Sequence, residues 1–68
     1  MQSKIIDTLY DHFNAHINKH KMNILIMMQN PIAIPEHTDF LESIEKELEA
    51  IAEYLDKIEA LELVEKDV

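Results

Sequence analysis

Apolar side chains recur along this chain at helical intervals in two long segments, separated by a short stretch that carries both prolines. In the first segment Ile6, Tyr10, Phe13, Ile17, His20, Ile24 and Met27 lie alternately four and three residues apart, and Ile5 and Leu9 widen the stripe. Asp7, Asp11, Asn14 and Asn18 fall on the opposite side. Such spacing predicts an amphipathic helix over about 3–29. Asn30 precedes Pro31, and a residue before proline avoids helical geometry, so the helix is expected to stop there.

The second segment is more regular. Leu41, Ile44, Leu48, Ile51, Leu55 and Ile58 are spaced three, four, three, four, three, a heptad seam that predicts a helix over about 39–65. Thr38 and Asp39, with Glu42 three residues beyond Asp39, read as a capping box at its start. The next seam position is Glu62, so the register fails there, and Leu61 and Leu63 are expected in a fraying or differently packed end. Residues 30–38 form the hinge, in which Ile32 and Ile34 are expected to fold back over the helix ends.

Two helices of similar length, roughly 40 Å each at about 1.5 Å per residue, joined by a short connection predict one all-α domain, an antiparallel hairpin. A hairpin alone leaves much of each apolar face wet, and chains this small usually need a further source of stability. The chain has no cysteine, which removes disulfides. Self-association is then the simplest remedy: a dimer forming a four-helix bundle, or a higher helical oligomer. The interface expected from the two seams comprises Ile6, Tyr10, Phe13, Ile17, Ile24, Met27 and Met28 with Leu41, Ile44, Leu48, Ile51, Leu55 and Ile58. The unbroken apolar run from Ile24 to Met28 adds to the surface needing cover. A parallel coil is disfavoured, because Glu45, Glu47 and Glu59 would face their own copies.

Composition narrows the chemistry. The 68 residues include no glycine, which removes the phosphate-cradling loops of nucleotide-binding folds. All the basic residues are lysines, so there is no bidentate arginine reader of phosphate or guanine. The net charge of −8 is uneven: residues 1–30 hold three lysines against two acids, while residues 31–68 hold three lysines against twelve acids. The acidic half should repel nucleic acid and attract basic partners. The exposed candidates for a basic host protein are Glu42, Glu45, Glu49, Glu53 and Asp56. The longest apolar run, five residues from Ile24 to Met28, is far below the roughly 20 needed to span a bilayer. The start of the chain lacks the apolar core of a signal peptide, and a cytoplasmic location is expected.

His12, His16 and His20 repeat every four residues and climb one side of the first helix. Two histidines one turn apart can share a metal, and Glu45, Glu49, Glu53 or Asp56 of the facing helix offer a carboxylate. In a hairpin centred near Ile34, His20 would lie level with Leu48, His16 with Ala52 and His12 with Asp56. The plainer expectation is boundary histidines hydrogen-bonded to acids of the second helix, or an interface that responds to pH. No cofactor is expected. Serines lack a base partner, and paired glutamates are unavoidable at this acidity, so no enzymatic activity is expected.

The segment Asn30-Pro31-Ile32-Ala33-Ile34-Pro35-Glu36-His37-Thr38-Asp39, followed by a glutamate-rich helix, resembles small uncharacterised helical proteins of tailed bacteriophages, which carry an Asn-Pro-x-x-Ile-x-Glu-His-x-Asp hinge. The resemblance implies a viral origin and carries over no catalytic residue. It directs attention to Glu36 and His37 as hinge residues able to contact a partner.

Overall fold

The computed structural model describes residues 2–29 and 37–68, and consists there of two helices, α1 (Gln2–Gln29) and α2 (His37–Glu65), with no strand among the described residues. The interior of α1 holds neither proline nor glycine, so nothing interrupts its backbone ladder. Thr8 returns its hydroxyl to the Lys4 carbonyl at 2.8 Å, which satisfies that polar group locally. In α2, alanine, leucine, glutamate and lysine predominate, all strong helix formers. This helix begins at His37, two residues ahead of the expected start. Asp39 therefore sits in the first turn, where its negative charge complements the positive end of the helix dipole. The chain leaves α2 through a tight turn closed by Asp67 N–H donating to the Val64 carbonyl at 3.0 Å.

Contacts between the helices run in opposite senses along α1 and α2. Met27 and Phe40 line one cleft, His20 meets Glu47, Phe13 meets Tyr54, and Ile6 and Leu61 line another cleft. The hairpin is therefore antiparallel, and the expected level of His20 with Leu48 is met to within a residue. The α1 side of the contact follows the expected stripe: Ile6 and Ile24 are buried, and Tyr10, Phe13, Ile17, His20 and Met27 are half-buried.

On α2 the register differs. The residues facing α1 are Phe40, Ile44, Glu47, Ile51, Tyr54, Ile58 and Leu61. This face keeps the isoleucine column of the expected seam and replaces the leucine column. Leu41, Leu48 and Leu55 are instead 63%, 54% and 53% exposed. The reason lies in what α1 offers. His20 and Asn23 need polar partners at the interface, and leucine there would leave them unsatisfied, whereas Glu47 accepts from both. Leu61, expected in a fraying or differently packed end, is one of the buried residues, while Leu63 is exposed.

The fold is a single layer of two helices, 52 × 15 × 9 Å across its Cα atoms. Among the described residues only Ile6, Ile24 and Leu61 are buried, and no side chain is fully enclosed.

Candidate functional site

The histidine ladder lies at the α1–α2 boundary, where Tyr54 organises it. The His16 ring stacks flat on Tyr54, with centroids 4.6 Å apart and planes 8° from parallel. His12 meets His16 edge to face at 4.6 Å, and His20 stacks more distantly on Tyr54 at 6.3 Å. Phe13 closes on the same tyrosine at 6.1 Å, while Lys57 Nζ lies 4.8 Å from its ring centre and pairs with Glu53 at 3.2 Å. Packing against Tyr54 withdraws His16 from water and holds its pKa below the ordinary 6.5, with the neighbouring His12 and Lys19 charges adding to the effect.

His20 Nδ1 lies 3.3 Å from both carboxylate oxygens of Glu47, and Asn23 Nδ2 donates to the same carboxylate. The Asn23 and His20 hydrogen bonds favour the ionised form and hold Glu47 below its usual 4.5. Nearer the open end of the hairpin the Tyr10 hydroxyl donates to Glu65 Oε1 at 2.7 Å. That bond, with partial burial and the Glu65 and Glu62 charges, pushes the phenol up to about 12.

The expected residues are thus only partly brought together. His12 touches His16, and His16 and His20 share the Tyr54 ring, but the carboxylate that meets the ladder is Glu47, which bonds His20. Glu45, Glu49, Glu53 and Asp56 are exposed, as is Glu42, and form the outward flank of α2. Among the described residues no group of three or more histidine and carboxylate side chains is placed to hold a metal ion. Glu36 and the His37 side chain lie outside the described residues. Spacing did contain a signal for Tyr54 and Glu47, because they fall four and three residues from the isoleucines, but hydrophobicity alone ranks leucine above them.

Apolar surface is the other feature of the molecule. Twelve large apolar residues are exposed among the described residues. Ile5, Ile6, Leu9, Leu61, Val64 and Val68 line a cleft of about 190 Å³ at the open end of the hairpin, and Lys4, Ile5, Thr8 and Leu9 line an adjoining one of about 300 Å³. At 100° per residue Leu41, Leu48 and Leu55 form a line on the opposite side of the hairpin from this cleft. Among the described residues no helix is long and apolar enough to cross a membrane.

Comparison with protein-family models, with curated proteins and with solved structures finds no match to this chain, so its reading rests on its own geometry.

Proposed function

We propose that this chain is a small, acidic, non-enzymatic interaction protein that works as a helical oligomer, in the manner of a phage accessory factor acting inside the host through protein contacts. One observation carries the reading: three side chains are buried while twelve large apolar residues remain exposed among the described residues. The accessible surface is 5438 Å², whereas a compact monomer of 8.0 kDa has about 4,500 Å² by the usual mass scaling. The excess, about 1,000 Å², is comparable to the roughly 800 Å² that each partner contributes to a standard interface. Coupling of folding to association makes the thermal midpoint depend on protein concentration. Circular dichroism melts over a dilution series test this: the midpoint should rise with concentration, and a constant midpoint argues against association.

A second reading has its own support. Glu42, Glu45, Glu49, Glu53 and Asp56 are all exposed, and place a run of negative charge along α2. Such a surface suits an inhibitor that occupies the basic, nucleic-acid-binding face of a host protein. Capture of a basic protein from host lysate at low salt, with release at moderate salt, is the expected result. Capture that ignores salt, or none, counts against it.

A further inference from the structure

We infer that Leu41, Leu48 and Leu55 form the contact with a second copy of this chain, the two α2 helices running antiparallel so that Leu48 meets its own counterpart and Leu41 meets the partner's Leu55. The inference rests on the self-association reading and specifies its interface. Residues seven apart on a helix drift by only about 20° per step, so the three leucines form one nearly straight stripe. All three are more than half exposed, although their isoleucine neighbours on the α1 side are half-buried.

The choice of occupant follows from what lies beside the stripe. On the same side of the hairpin α1 presents Asp7, Asn14, Lys21 and Met28, all exposed, and with three polar members of four this row cannot match three leucines. A second leucine stripe can. The surplus area is also of the size that one protomer gives to a stable dimer.

Charge favours the antiparallel direction. Glu45 and Glu59 flank the stripe and are exposed. In a parallel pair each would lie level with its own copy. About a Leu48 centre in an antiparallel pair, Glu45 lies level with the partner's Ile51, so the two Glu45 residues are offset by about 9 Å along the axis at 1.5 Å per residue. Attraction from the apolar stripe outweighs the remaining repulsion, because exposed, salt-screened charges contribute little individually. A two-fold axis perpendicular to the helices then stacks one hairpin on the other as a four-helix bundle.

The chain has no cysteine, so single introduced thiols report the arrangement directly. A disulfide needs Cα atoms within about 7 Å, which only facing positions satisfy. Under mild oxidation Leu48→Cys should cross-link to itself. Leu41→Cys and Leu55→Cys should each remain uncross-linked alone and cross-link when mixed. Self-linking of the latter two, each alone, would establish a parallel pair and overturn the arrangement. No cross-link in any variant, with sedimentation still giving a dimer, would overturn this interface and leave self-association standing. A monomeric unmodified chain would overturn both.

Discussion

Leu61 and Leu63 are the same residue type, two positions apart on α2, and differ in exposure: 9% against 61%. Replacing each by alanine removes three carbons, worth about 2.4 kcal/mol at about 0.8 kcal/mol per buried CH₂. Scaled by the buried fraction, Leu61→Ala should cost about 2.2 kcal/mol and Leu63→Ala about 0.9 kcal/mol. The cavity contribution is small at Leu61, because the site opens onto the cleft with Val64 and Val68 and can collapse. Helix propensity changes equally in both variants and cancels in the comparison. The difference of about 1.3 kcal/mol corresponds to roughly 5–10 °C in midpoint for a domain of this size. Thermal unfolding followed by circular dichroism, at one protein concentration for both variants, reads it. Equal shifts, or a larger shift for Leu63→Ala, would show that α2 frays at its end and that Leu61 does not pack on Ile6.

Three titrations test the polar contacts. The Tyr10 phenol, read at 295 nm in a Tyr54→Phe background, should ionise near 12; an ordinary midpoint near 10 would deny the bond to Glu65. Because its folded pKa is raised, the contribution of Tyr10 is fully present below pH 10 and is lost as pH rises through about 12. Glu47 has the opposite sign: its contribution is present above 4.5 and is lost as pH falls through the depressed folded value. Carboxyl NMR should therefore place Glu47 below 4.5, and Asn23→Ala should move it back up. For His16 the unfolded chain binds the proton more readily, so acidification below 6.5 costs stability. Ring-proton NMR should find its midpoint below 6.5, and Tyr54→Ala should raise it; no change on removing the tyrosine would contradict the stacking account.

Helical periodicity made the architecture legible: two helices, their approximate limits and their antiparallel level all follow from the spacing of apolar residues. The α1 stripe from Ile6 to Met27 could be read directly because its alternating four- and three-residue spacing runs unbroken along the helix. On α2 two seams share the column Ile44, Ile51 and Ile58. One adds Leu41, Leu48 and Leu55; the other adds Phe40, Glu47, Tyr54 and Leu61. Counting apolar residues selects the first. The hairpin selects the second, because His16, His20 and Asn23 must be satisfied where the helices meet. That requirement belongs to the pairing of two helices and is invisible in either one alone. The same preference explains why the leucines, the strongest pattern in the chain, face outward.

A second copy is proposed to cover this outward apolar surface. Sedimentation equilibrium of the unmodified chain at micromolar concentration tests it most directly. The expected mass is twice the 8.0 kDa of one chain. A folded, helical species of 8.0 kDa under those conditions would contradict the account.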